Sequence, residues 1–129
     1  MLVVDASVIA PAVADGGPDG DTFRSRLHGE TIAGPDLLRI EVMSVIRRQA
    51  SAAALTAAQA SRAVEDLLAL PVSIYPTTPL LGRVWALRNN FSTYDACYVA
   101  LAEALDCPLL TADRRLASGP GGRCAIEVL

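Results

Sequence analysis

Apolar and polar positions along the chain fall into short blocks whose period changes repeatedly. Leu2–Val3–Val4 is a continuous apolar run stopped by Asp5, which reads as a strand buried on both faces, as at the centre of a parallel sheet. Ser7 to Ala14 suits a short helix with Pro11 in its early turns, and Gly16–Gly17–Pro18–Asp19–Gly20 suits a loop. Residues 21–28 form a candidate second helix with Asp21 as its cap, and Thr31–Ile32–Ala33 a candidate strand. Gly34–Pro35–Asp36 opens a helix over about 36–49, and Thr56 with Gln59 forms a capping box for a helix over 57–69. Pro71 to Tyr75 reads as a strand, and Thr78–Pro79 as an N-cap with Pro at the first helical position, opening a helix to about Arg88. Ser92 to Asp95 caps another helix, running to about Leu105 and apolar almost all round. Pro108 to Thr111 is a strand, Asp113 to Ala117 a turn of helix, and Ala125 to Val128 a last strand. Strands alternating with helices predict an α/β fold with a central, mostly parallel sheet. No repeat or linker divides the 129 residues, so one domain over 1–129 is expected.

Composition narrows the chemistry. The chain is 52% hydrophobic and 19% charged, enough for a packed core. No apolar run approaches the roughly 18 residues of a membrane helix. The first ten residues carry Asp5 and no basic group, so neither a signal peptide nor a membrane association is expected, and a cytoplasmic protein is the default. All 11 basic residues are Arg, with no Lys. That excludes P-loop enzymes, which need a phosphate-binding Lys, and pyridoxal phosphate enzymes, which need a Schiff-base Lys. His28 is the single His, which excludes a two-His zinc site. Cys97, Cys107 and Cys124 match neither a CxxC motif nor a disulfide scaffold. They are expected as reduced thiols, in a helix, at a strand approach and in the last strand respectively. The net charge of −3 argues against non-specific nucleic-acid binding, but not against a local phosphate site built from guanidinium groups.

Four acids stand where stability alone would not place them. Asp5 ends the first buried strand, at the sheet edge where open α/β proteins bind ligands. Glu41 lies on the border of the apolar arc of its helix, beside Leu37, Leu38 and Val45. Asp95 begins the all-apolar helix, and Asp113 follows the strand ending at Thr111. Each has a structural alternative: Asp5 and Asp113 as N-caps, Asp95 as partner of the Ser92 cap, and Glu41 paired with an Arg such as Arg48. Taken jointly, they place acids toward one edge of one sheet. Two charges about 5 Å apart repel by roughly 3 kcal/mol at an effective dielectric of about 20. Convergence of four would call for a cation or for protonation. Oxygen ligands without His or Cys favour Mg2+ or Mn2+ over zinc, and phosphoryl chemistry is typical of such sites.

VVDASVIA, GPDLLRIEVMSVIRR, STYDACYVALAEAL and PLLTADRRLA resemble the PIN-domain ribonucleases, and more narrowly the VapC-like toxins of VapBC toxin–antitoxin pairs. The resemblance spans nearly the whole chain, the third and fourth segments being the most specific. It implies a single PIN domain over 1–129, with five strands in the order 3-2-1-4-5 flanked by helices. It implies an Mg2+-dependent endoribonuclease, with Mn2+ able to substitute, whose acidic quartet of catalytic metal ligands is Asp5, Glu41, Asp95 and Asp113. Ser7 and Thr111 match the neighbouring hydroxyls, which would orient those ligands. The cleaved bond is an RNA phosphodiester, attacked by metal-activated water. Arg47, Arg48, Arg114 and Arg115 are the candidates for RNA phosphates, or else solvated helix-face residues. The expected partners are RNA, a cognate antitoxin, a second copy in a homodimer, and a toxin–antitoxin hetero-oligomer. Two alternatives remain within the fold: an RNA-processing PIN nuclease outside a toxin system, and a PIN module that binds RNA or a partner without cutting. A haloacid-dehalogenase-type phosphatase would need DxD after the first strand and a later Lys; this chain has Asp5–Ala6–Ser7 and no Lys. A receiver domain fails on the same missing Lys.

Overall fold

The apolar run at the start of the chain forms β1 (Leu2–Val4), buried at every residue. In the computed structural model, which describes residues 1–129, it is followed by α1 (Ala6–Ala14), α2 (Pro18–Leu27), β2 (Ile32–Pro35), α3 (Leu38–Ser51), α4 (Ala57–Ala69) and β3 (Val72–Tyr75). A 3-10 turn (Thr78–Leu80) leads into α5 (Leu81–Ala86). Then come α6 (Thr93–Ala104), β4 (Leu109–Thr111), α7 (Arg114–Ser118) and β5 (Ile126–Val128). The five strands form one sheet in the order β3-β2-β1-β4-β5, and every neighbouring pair is parallel. This is the order that the family resemblance implied.

β1 sits at the centre because it has no polar face to offer water. Leu2 registers with Ile32 on one side and Val3 with Leu109 on the other. The chain builds β1, β2 and β3 outward in one direction, then returns to lay β4 on the free side of β1. The order therefore reverses between β1 and β4, and the crevice beyond the carboxyl ends of these two strands is where such sheets bind ligands. α6 lies across β1, β2 and β4 and is buried without interruption from Ala96 to Ala102. Its lack of a polar stripe is thereby explained.

Several expectations need correction. The loop Gly16–Gly20 is shorter than expected, because α2 starts at Pro18 with Gly17 as N-cap, and Asp21 is not a cap. Gly20 serves close packing instead of a turn: a Cβ there would stand 1.9 Å from the Asp15 carbonyl oxygen. The helix expected from Thr78 to Arg88 is a 3-10 turn followed by the short α5, and Thr78 makes no side-chain cap. Cys124 precedes β5 and does not lie in it. All three cysteines are free, with Cys97 buried in the core. The Thr56–Gln59 capping box forms in both directions, at 2.9 and 3.1 Å.

Candidate active site

Asp5 occupies the first position after β1, and both readings of it hold together. As N-cap of α1, its Oδ1 accepts from the Ser7 N–H at 3.1 Å and from the Ser7 hydroxyl at 2.5 Å. Its Oδ2 accepts from the Thr111 hydroxyl, at the end of β4, at 2.6 Å. Asp5 is 7% exposed and Thr111 fully buried. The same two hydroxyls knit the loops beyond β1 and β4: Ser7 Oγ accepts from the Ala112 N–H at 2.9 Å, and Thr111 Oγ1 from the Asp113 N–H at 3.0 Å. Burial pushes the Asp5 carboxyl above its ordinary range, against these hydrogen bonds, and the nearby Asp95 adds to the rise.

Glu41 lies in the first turn of α3, half-buried, and its Oε1 accepts from the Tyr98 hydroxyl of α6 at 2.7 Å. It does not pair with Arg48, which donates to Ser44 Oγ at 3.2 Å. The reason is spacing: Ser44 is one turn from Arg48, whereas Glu41 lies about 10 Å from Arg48 along the helix axis, nearly two turns away. Burial raises the Glu41 carboxyl, the Tyr98 hydroxyl opposes the rise, and the charges of Asp95 and Asp5 add to it.

Asp95 sits in the first turn of α6, where Ser92 Oγ, the N-cap, accepts from its N–H at 3.1 Å. Burial raises its carboxyl, with Asp113 contributing and Arg115 opposing. Asp113 caps α7 by accepting from the Arg115 N–H at 2.9 Å, and it also pairs with the Arg115 guanidinium at 3.2 Å. Those bonds hold its carboxyl below the ordinary range. Asp95, Asp113 and Arg115 line an open cleft of about 350 Å³ with Asn90, Phe91 and Ser92.

The quartet expected from the sequence thus gathers at one edge of the sheet, linked by mutual repulsion along Asp5, Glu41, Asp95 and Asp113. Only Asp113 has a cationic partner; no ion pair reaches Asp5, Glu41 or Asp95. The four do not close into a chelating cluster, since no three Asp, Glu, His or Cys side chains are grouped tightly enough to hold a metal ion as they stand. Three of the carboxylates are instead held by neighbours, Asp5 by Ser7 and Thr111, Glu41 by Tyr98 and Asp113 by Arg115, whereas Ser92 holds the backbone N–H of Asp95. The donor set still fits a hard divalent cation, being oxygen-only and short of positive charge.

The arginines divide. Arg114 and Arg115 stand on α7 beside the cleft, both exposed. Arg47 and Arg48 lie toward the far end of α3, and Arg47 lines a separate apolar groove with Met43, Ile46 and Val64. Tyr98 is the residue that the sequence argument passed over. Its signal was present, because it lies three positions after Asp95 and so on the same side of the helix.

The PIN-domain sequence profile matches residues 2–121. Ribonuclease VapC9 of Mycobacterium tuberculosis is 42% identical over 129 residues, covering 100% of this chain and 98% of that one. Among solved structures, a protein of Pyrobaculum aerophilum superposes with a TM-score of 0.73 at 26% identity, over 98% of this chain and 83% of that one. The VapBC2 complex of Rickettsia felis, bound to a DNA fragment from its promoter, contains the same fold, with a TM-score of 0.71 at 13% identity over 98% and 97% of the two chains. The profile match, the sheet order and this full-length likeness converge: the chain belongs to the PIN-domain family, among the VapC ribonucleases.

Proposed function

We propose that this ribonuclease is the toxin of a type II toxin–antitoxin pair and that its chemistry runs on Asp5, Glu41, Asp95 and Asp113 around Mg2+, with Mn2+ able to substitute. The observation that carries the reading is the set of three carboxylates, Asp5, Glu41 and Asp95, raised by burial and by neighbouring carboxylates, none of them held in an ion pair. Such a group gains most from an external cation. When bound, the cation supplies Lewis-acid charge at the scissile phosphate and lowers the pKa of a water.

The chain's own residues do the rest. Ser7 and Thr111 fix both oxygens of Asp5, so that its orientation is set before anything binds. Tyr98 fixes one oxygen of Glu41. Glu41 and Asp95, with raised proton affinity, are suited to orient the attacking water and to take up its proton. Arg114 and Arg115 beside the cleft, and more distantly Arg47 and Arg48, meet the RNA phosphates. Residues 1–129 act as one PIN domain. The protein works in the cytoplasm, as a homodimer that a cognate antitoxin binds and silences in a hetero-oligomer. No helix is long and apolar enough to cross a membrane.

The test is Mn2+ titration into the purified chain and into Asp95→Asn, read by electron paramagnetic resonance, followed by RNA cleavage and growth of cells expressing each. Saturable binding, RNA cleavage and growth arrest by the parent, all lost in Asp95→Asn, are expected. Growth arrest that persists in Asp95→Asn would favour a domain that acts by binding without cutting.

A further inference from the structure

At the end of the sheet opposite the acids, α6 gives way to β4 through Asp106, whose φ of 50° turns the chain sharply. Cys107 follows, its N–H bonded to the Ala102 carbonyl at 3.1 Å. Across from it, Cys124 precedes β5. Leu109 and Ile126 are registered partners, so the two cysteines each stand two residues upstream of a registered pair. The Leu109 N–H donates to the Ala125 carbonyl at 2.9 Å, which fixes the two chains side by side at that level. Neighbouring strands run about 4.8 Å apart at the registered pair, within the roughly 4.4–6.8 Å Cα separation that a disulfide accepts, and the cysteines continue the same two chains just ahead of it, close enough for Cys107 to act on the Cys124 thiol. Both thiols are half-buried and line one open cavity of about 390 Å³. The segment before Cys124 is clamped: Arg83 holds Glu103 at 2.8 and 3.0 Å and the Gly121 carbonyl at 2.9 Å, and Glu103 accepts from the Arg123 N–H at 2.7 Å.

We propose that Cys107 and Cys124 form a reversible thiol–disulfide couple, oxidised by low-molecular-weight disulfides that enter this cavity. The Cys107 thiolate attacks one sulfur of the small disulfide, forming a mixed disulfide and releasing one thiolate. The Cys124 thiolate then attacks the Cys107 sulfur and releases the second. The two protons of the cysteines pass to the two leaving thiolates, so two protein thiols and one disulfide become one protein disulfide and two small thiols. Burial and Glu103 push the Cys124 thiol up, which lowers its thiolate fraction and leaves the first attack to Cys107; the second attack is carried by proximity, being intramolecular. Cys97 takes no part, being sealed in the core. The bond closes residues 108–123 into a loop that contains Thr111, Asp113 and α7, so oxidation ties down the segment that carries part of the acidic site.

The test is incubation of the full chain with oxidised glutathione, with intact mass, peptide mapping and thermal unfolding as readouts. A loss of two hydrogens, a Cys107–Cys124 peptide, and a rise in Tm of roughly 5–10 °C that reductant reverses are expected. Cys124→Ser should stop at a stable adduct on Cys107. Persistent glutathione adducts on the parent chain, a crosslink that includes Cys97, or a crosslink between two chains would each overturn the proposal. None of these readouts depends on metal or RNA.

Discussion

Removal of a single oxygen tests how Glu41 is held. In Tyr98→Phe the ring keeps its place in the core, where Tyr98 is 2% exposed, but the donor to Glu41 Oε1 is gone. A hydrogen bond to a charged acceptor is worth about 1.5–3 kcal/mol. Glu41 is half-buried, and water can partly replace the lost donor. The lower end therefore applies, about 1.5 kcal/mol, which for a domain of this size lowers Tm by about 5 °C. The pH dependence gives the sharper test. The hydroxyl favours ionised Glu41 and opposes the rise that burial imposes. Its contribution is full while Glu41 is charged and falls as pH drops through the folded-state value. Urea unfolding of parent and variant should show a gap of about 1.5 kcal/mol near pH 7 that narrows as pH falls through the raised Glu41 value, above the ordinary glutamate range. The acid limb of the variant's RNA cleavage should move to higher pH, because Glu41 without its donor takes a proton more readily. A gap that stays constant on acidification would mean that the hydroxyl merely packs, and the positioning role would be refuted.

Asp5, Glu41 and Asp95 are raised in the folded protein, so the folded chain takes up protons before the unfolded chain does, and stability should rise as pH falls from neutral toward about 5. Asp113, Glu103 and Glu127, held low by Arg115, Arg83 and Arg26, contribute stability that is lost only on further acidification. Asp5→Asn should flatten the rise in a denaturant series, and a parent chain that weakens steadily from neutral pH would contradict it. Thr56→Ala removes the cap acceptor of α4 far from the acids; it should cost about 1 kcal/mol in urea unfolding and leave Mn2+ affinity unchanged. Replacing Arg47, Arg48, Arg114 and Arg115 together with Gln should weaken RNA binding and flatten its dependence on salt, whereas an unchanged slope would remove them from the interface.

The sheet was legible because its strands are short apolar runs with punctuated ends, and Leu2–Val4 announces its central place by having no polar face. The capping box at Thr56 and the all-apolar α6 were equally plain. Gly20 misled because a glycine needed for close packing looks the same in sequence as one needed for a turn. Thr78–Pro79 misled because Thr78 is itself the first residue of a 3-10 turn and caps nothing. The acids were legible as exceptions to burial, and the family motifs picked out the same four. Tyr98 was hidden for the opposite reason: on a buried helix a tyrosine reads as core, and only the fold reveals that its hydroxyl reaches α3. The seven-residue spacing already spoke against a Glu41–Arg48 pair, but the partner Glu41 does take, Tyr98, turned on which helix lay opposite.

The place of β4 has a consequence for the order in which the molecule comes into being. β1 is the first strand synthesised, yet its second neighbour is β4, and the Thr111 hydroxyl that completes the hold on Asp5 lies 106 residues later. Until that strand leaves the ribosome, β1 keeps one open edge, and Asp5 lacks both its second anchor and the company of Asp113. A nascent chain that already carries Asp5, Glu41 and Asp95 therefore still lacks part of the proposed site. The hold on Asp5 is complete only when β4 lies beside β1.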